Sequence, residues 1–211
     1  MTLPFPRRGL YAVTPDPEDF ERLKRQIRTV LSGGARVVQL RDKHGRLSLA
    51  QVEELVALCH DFQTPLIVND RVDLARRAGA DGVHLGRDDT DIHQARKILG
   101  PEAIIGISCY RDLAWADAAA RAGASYVAFG AFFPSPSKPE AAPAPLALLR
   151  QARRALRCPV VAIGGITLER APEVIEAGAD LIAAISALFH APDLRRAAAG
   201  FARLFPEPKR R

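Results

Sequence analysis

Long hydrophobic runs are missing from this 211-residue chain. Apolar residues make up 48% of it, yet they are interrupted every few positions by the 26% that are charged, which excludes a membrane span and fits a soluble globular protein. Arg7 and Arg8 stand near the start, but no apolar stretch or small-residue cleavage site follows them, so nothing reads as a secretory signal and the expectation is a cytoplasmic protein. Cysteine is scarce. Cys59, Cys109 and Cys158 are an odd number at spacings that match neither a zinc site nor a redox pair, which excludes a disulfide framework. Aromatic residues are only 6% of the chain, and the bases behind its net charge of +6 are spread out rather than interleaved with them. That argues against a nucleic-acid surface, and the run Lys209-Arg210-Arg211 reads as a solvated end. The surplus positive charge suits small anionic ligands better. Also absent is the glycine fingerprint of a dinucleotide-binding fold.

What is present is an alternation of short Val- and Ile-rich runs with helical stretches, the pattern of repeated βα units around a parallel sheet. Strands are expected at 9–14, 36–40, 65–68, 82–85, 104–108, 126–129, 160–163 and 181–185. Helices are expected at 19–32, 47–62, 71–78, 91–99, 112–122, 145–156, 168–177 and 193–205. Three segments repeat the same closure of a helix before a strand: Ala78-Gly79-Ala80-Asp81, Ala122-Gly123-Ala124-Ser125 and Ala177-Gly178-Ala179-Asp180. In each the glycine is expected to supply a left-handed helix terminus. Eight consecutive units, with no linker between them, favour one closed (β/α)8 TIM barrel over residues 1–211, an α/β fold, over a doubly wound open sheet. Functional side chains then belong at the C-terminal ends of the strands.

Those ends are rich in candidates. After the second strand, a period of two puts Gln39, Arg41 and Lys43 on the side opposite Val38 and Leu40, where a phosphate ligand or an ion pair with a carboxylate such as Asp42 would meet them. The third and fourth strands run into Asn69-Asp70 and Gly86-Arg87-Asp88-Asp89. Asp70 and Asp89 are placed to share Mg²⁺, which is usually held by one or two carboxylates plus phosphate oxygens, or else to cap the helices that follow. His84 fits a hydrogen-bonded core position better than a metal ligand. The sixth strand opens into Phe132-Phe133-Pro134-Ser135-Pro136-Ser137-Lys138-Pro139, a segment able to close over phosphates or to serve as a proline-stiffened surface loop. Past the seventh and eighth strands come Gly164-Gly165 and Ile185-Ser186, positions at which barrels often bind phosphate.

Together these segments resemble the thiamine-phosphate synthase family over nearly the whole chain. The likeness rests on Leu10-Tyr11-Ala12-Val13-Thr14, Val38 to Lys43, Ile67-Val68-Asn69-Asp70, Gly82 to Gly86, Ile105-Gly106-Ile107-Ser108, Phe129 to Lys138, and Ala162 to Ile166, in that order. The resemblance implies that Gln39, Arg41, Lys43, Asn69 and Lys138 bind a pyrimidine diphosphate, with Ser108 nearby and Mg²⁺ on Asp70 and Asp89. It implies a thiazole phosphate on Ser135, Ser137, Gly164, Gly165, Ile185 and Ser186. It further implies a transferase reaction in which diphosphate departs, a pyrimidine methyl cation forms and thiazole nitrogen captures it. Arg41, Lys43 and Lys138 would serve as the catalytic charges that neutralise the leaving diphosphate. Four positions depart from the family pattern: Ser135 and Ser137 stand where threonine is common, Arg87 where glutamine is common, and Tyr110 where histidine is common. Rival readings are a thiazole tautomerase on the same barrel, which has no need of a diphosphate and metal site, and a non-catalytic phosphate-binding barrel. The expected partners are small phosphorylated molecules, without nucleic acid or membrane, and a homo-oligomer is compatible with the composition.

Overall fold

The computed structural model describes residues 2–134 and 143–206. Its eight strands are β1 (Gly9–Val13), β2 (Ala35–Leu40), β3 (Leu66–Asn69), β4 (Gly82–Leu85), β5 (Ile104–Tyr110), β6 (Tyr126–Phe129), β7 (Val160–Ile163) and β8 (Leu181–Ala184). Each pairs in parallel with its sequence neighbours and β8 pairs with β1, which closes the barrel and settles the choice against an open sheet. Around it run α1 (Phe20–Ser32), α2 (Leu49–Asp61), α3 (Val72–Ala78), α4 (Ile92–Leu99), α5 (Leu113–Arg121), α6 (Ala147–Ala155), α7 (Ala171–Glu176), α8 (Ser186–Phe189) and α9 (Leu194–Arg203). No helix among the described residues is long and apolar enough to cross a membrane.

Side-chain alternation builds two apolar layers. Inward-facing Tyr11, Val13, Val37, Ile67, Ile104, Tyr126, Val161 and Leu181 fill the barrel, while Leu10, Val38, Leu40, Leu66, Val83, Ile105, Val127 and Ile182 pack outward against the helices. Helix starts are set by short acceptors. Asp19, Asp91, Asp112 and Asp193 each accept a backbone N–H from the first turn of the helix they precede, and Ser48 forms a reciprocal capping box with Gln51 at α2. The expected start of the seventh helix at 168 moves to Ala171, with a proline in the first turn where its fixed φ is already helical. The four-residue α8 was not expected; it is too short to carry a periodic signal.

The three-fold repeat has a structural use beyond ending helices. Gly79, Gly123 and Gly178 all have positive φ (65°, 92° and 121°). The residue two places on then reaches across to the neighbouring strand: Asp81 Oδ2 accepts from the Leu66 amide (2.8 Å), Ser125 Oγ from Ile105 (3.0 Å) and Asp180 Oδ2 from Val160 (2.9 Å). Each side chain satisfies a strand N–H in the first two residues of β3, β5 or β7, at the bottom of the barrel. Asp81 also binds His60 Nε2 and the Leu3 amide, fastening the N-terminal segment under the barrel floor.

Candidate active site

The strand tops open into a cavity of about 880 Å³. Of the residues singled out in the sequence, Gln39, Arg41, Lys43, Asn69, Asp70, Asp89, Ser108, Gly164, Gly165, Ile185 and Ser186 all line it. Ser135, Ser137 and Lys138 lie outside the described residues.

On the β2 side, Asp16 organises the cations. Its carboxylate accepts from Arg41 Nη1 at 2.5 Å and from the Lys43 amide at 2.8 Å. Partial burial opposes ionisation of Asp16, but the Lys43 amide and the Arg41 guanidinium together hold it below the usual carboxylate range. The ion pair open to Arg41 in the sequence is therefore made with Asp16. Asp42 turns away and accepts the Arg46 and Leu47 amides, both at 3.0 Å, shaping the turn into α2.

Neither Asp70 nor Asp89 caps a helix: the N-cap of α3 is Arg71, which makes no side-chain cap, and Asp91 caps α4. Instead the two carboxyls lie within hydrogen-bonding reach of each other at the cavity mouth. Asp70 is held there by a left-handed backbone (φ 63°) whose amide donates to the His84 carbonyl, and Asp89 is fixed by the Gly86 amide at 2.6 Å. Loss of water around it, and then the charge and hydrogen bond of Asp89, push the Asp70 carboxyl up to about 6, against the pull of Lys43 and Arg41. Two facing carboxylates of this kind demand a shared proton or cation. Among the described residues no cluster of three or more His, Cys, Asp or Glu gathers around a common point. A pair without a full protein cage suits Mg²⁺, which keeps waters and takes its remaining ligands from a phosphorylated substrate.

Below the mouth, polar side chains from five strands form a chain through the barrel interior. Gln39 Nε2 donates to Tyr11 Oη (3.0 Å), Tyr11 and Tyr126 hydroxyls bond at 2.6 Å, His84 Nδ1 meets Tyr126 Oη (2.9 Å), and His84 Nε2 meets Ser108 Oγ (2.8 Å). Burial is the cause of a depressed His84, lowered to about 4 despite the opposing charge of Asp89, so the ring is neutral at pH 7. A neutral ring donates from one nitrogen only. With the amide of Gln39 donating into one end, each hydroxyl passes its hydrogen on, Nδ1 accepts, and Nε2–H donates to Ser108. The serine hydroxyl is then left as a donor and the Gln39 carbonyl as an acceptor, both at the cavity wall. Phe5 stacks on Tyr126 (4.3 Å between centroids) and closes the chain from below, and Gly106 leaves the space that the Tyr126 ring occupies.

On the β7 and β8 side the walls are mostly backbone. A Cβ on Gly165 (φ 63°) would stand 2.5 Å from the Pro134 carbonyl oxygen and 2.7 Å from that of Phe133, so only glycine lets the segment after β6 lie this close. Arg170 also lines this side. Its Nη1 donates to the Gly165 carbonyl (3.1 Å) and its guanidinium lies over the Phe133 ring, 4.7 Å from the centroid. Arg87, which the sequence puts beside the carboxylates, points elsewhere. It pairs with Asp112 (2.9 Å) and lies over Tyr110 and Trp115, and Tyr110 rather than Arg87 reaches the cavity.

Sequence reasoning passed over Asp16, the inward role of Tyr11 and Tyr126, and Arg170. The tyrosines carry a signal, since each sits two residues before an inward position on its strand, Val13 and Ala128. Asp16 and Arg170 lie in loops, where no periodicity applies.

Comparison with known proteins identifies the family of the chain. The profile of the thiamine monophosphate synthase family matches residues 10–188. Curated proteins named thiamine-phosphate synthase are 57% identical in Thiobacillus denitrificans (93% of this chain, 94% of that one) and 53% identical in Nitrosococcus oceani (94% and 93%). The solved structure of a thiamine phosphate pyrophosphorylase from Pyrococcus furiosus superposes with a TM-score of 0.81 at 35% identity, covering 94% of this chain and 95% of that one. With a closed barrel, a polar mouth at its strand tops and relatives of this identity across nearly its full length, the chain belongs to the thiamine monophosphate synthase family.

Proposed function

We propose that this protein is a transferase of thiamine biosynthesis, joining 4-amino-2-methyl-5-hydroxymethylpyrimidine diphosphate to thiazole phosphate and releasing pyrophosphate. The observation that carries the reading is the convergence of Arg41, Lys43 and the Asp70–Asp89 pair on one side of a single cavity, opposite the Gly164-Gly165 wall. A diphosphate meets the first set and a monophosphate the second. Mg²⁺ held by Asp70 and Asp89 would supply charge neutralisation to the departing diphosphate.

The rest is done by the chain's own groups. Arg41 and Lys43, together with Lys138 from the segment after β6, offset the negative charge that grows as the C–O bond breaks. Asn69 contributes a further polar contact. Gln39 and Ser108 present an acceptor and a donor to the edge of an aminopyrimidine, orienting it for attack. The apolar walls, Val13, Ile163 and Ala183 among them, keep water from the pyrimidine methyl cation until the thiazole nitrogen donates its electron pair. Ser135, Ser137, Gly164, Gly165, Ile185 and Ser186 form the thiazole-phosphate side. One barrel domain spanning residues 1–211 carries the whole reaction, and its phosphorylated substrates suit a cytoplasmic enzyme. The carboxylate pair disfavours a tautomerase, which needs no metal site.

The test is direct. Purified protein mixed with both substrates and Mg²⁺ should release pyrophosphate and thiamine phosphate in equal amounts, and no pyrophosphate release would overturn the reading.

A further inference from the structure

We infer that Arg170 is a specificity-determining residue whose charge recognises the phosphate of the thiazole substrate, so that the phosphorylated thiazole is taken in preference to its alcohol. The inference rests on the function proposed above and deepens it. Its starting point is an imbalance. The described cations that line the cavity are Arg41, Lys43 and Arg170, and the first two sit at the β2 side with the carboxylate pair. The residues expected to line the thiazole-phosphate side, Gly164, Gly165, Ile185, Ser186 and the two serines after β6, carry no charge among them. A phosphate dianion brought into a partly closed cavity is costly to hold on neutral donors alone. Arg170 is the described cation that answers it.

Its geometry suits that task. One N–H of the guanidinium is used on the Gly165 carbonyl at 3.1 Å, and one face is stacked over Phe133. Guanidinium has five N–H donors in a plane, so a stacked face and one committed donor fix the group while leaving its edge for bidentate contact with phosphate oxygens. Glu169 is the carboxylate whose charge reaches Arg170, and Glu169 itself is engaged by the Thr167 hydroxyl. No carboxylate of the described residues is in ion-pair contact with Arg170. The anchor points, Gly165 and Phe133, belong to two segments whose backbones pack closely against each other, so the cation is carried on a constrained part of the rim.

The experiment compares the wild type with Arg170→Gln, Arg170→Lys and Phe133→Leu in steady-state turnover, with titration calorimetry of thiazole phosphate and of the unphosphorylated thiazole alcohol. Arg170→Gln should raise KM for thiazole phosphate by about tenfold to a hundredfold, the scale of a charge-assisted contact, and weaken its binding to match. KM for the pyrimidine diphosphate and affinity for the alcohol should stay within about twofold. Arg170→Lys should recover part of the loss, and Phe133→Leu, which keeps the charge, should retain the preference for the phosphate. Unchanged thiazole-phosphate KM in Arg170→Gln, an equal rise for both substrates, or the full loss in Phe133→Leu would each overturn the assignment. If the wild type makes no thiamine phosphate the proposed function fails instead, and the calorimetric comparison alone then decides for or against Arg170.

Discussion

Asp70 is set by its neighbours at the mouth. Its carboxyl, pushed up to about 6 by burial and by Asp89, takes a proton in the range where most carboxylates are already ionised. Metal ligands must be deprotonated, so protons and Mg²⁺ compete for the pair. The Mg²⁺ concentration giving half-maximal rate should therefore rise severalfold as pH falls from 7.5 to 5.5, while Asp70→Asn should cut kcat by about two orders of magnitude at any Mg²⁺ level with normal folding. A rate as Mg²⁺-sensitive at pH 5.5 as at pH 7.5 would contradict this. A second prediction concerns the interior chain. Tyr126→Phe removes the hydroxyl that joins Tyr11 to His84, leaving buried polar atoms unpaired at a cost of about 1–3 kcal/mol. It also frees the His84 tautomer, so Ser108 loses its fixed donor role. KM for the pyrimidine diphosphate should rise while that for thiazole phosphate holds, as steady-state kinetics would show. In the sequence, Gln39, Arg41 and Lys43 were legible because strand alternation continues into the loop. The Asp16 contact that organises them was not, since it joins the loops after β1 and β2 across 25 residues that include all of α1.

Among the secondary-structure elements, the eight βα units were legible because buried parallel strands and amphipathic helices leave different periods in the sequence. What the sequence left open was which acidic residue starts a helix and which serves the site. Asp89 and Asp91 stand two residues apart before α4, and either satisfies the capping preference. The structure separates them: Asp91 Oδ1 accepts from the His93 and Gln94 amides at 2.9 Å and 3.4 Å, while Asp89 turns toward Asp70. Asp91→Ala should accordingly cost about 1 kcal/mol and lower Tm by about 2–4 °C, with kcat and Mg²⁺ dependence kept. Asp89→Ala should do the reverse in kind, losing activity and metal response. Thermal melts and turnover on the two variants check the division, and equal loss of activity in both would refute it. α8 escaped detection for a related reason, since four residues make barely one turn.

For the whole molecule, the barrel holds a neutral histidine in its interior, and this ties global stability to pH. Burial keeps His84 down at about 4, whereas the unfolded chain titrates near 6.5. Above 6.5 both states hold a neutral ring and the group has no effect on stability. As pH falls from 6.5 to 4 the unfolded state binds a proton that the folded state refuses, so the free energy of unfolding drops by about 1.4 kcal/mol per pH unit, roughly 3 kcal/mol in all. Asp70 works in the opposite sense over part of this range, because its folded value is raised and protonation favours the folded chain below about 6. Wild-type stability alone mixes the two effects. Comparing it with His84→Asn separates them, since Asp70 is common to both proteins. The variant should be less stable at pH 7, having lost contacts to Tyr126 and Ser108, yet its denaturant-unfolding free energy should decline less steeply between pH 6.5 and 4, by close to one proton's worth of slope. Parallel slopes in the two proteins would mean that the folded barrel takes up the proton as readily as the unfolded chain, and the role of Nδ1 as acceptor from the Tyr126 hydroxyl would then fail at acid pH.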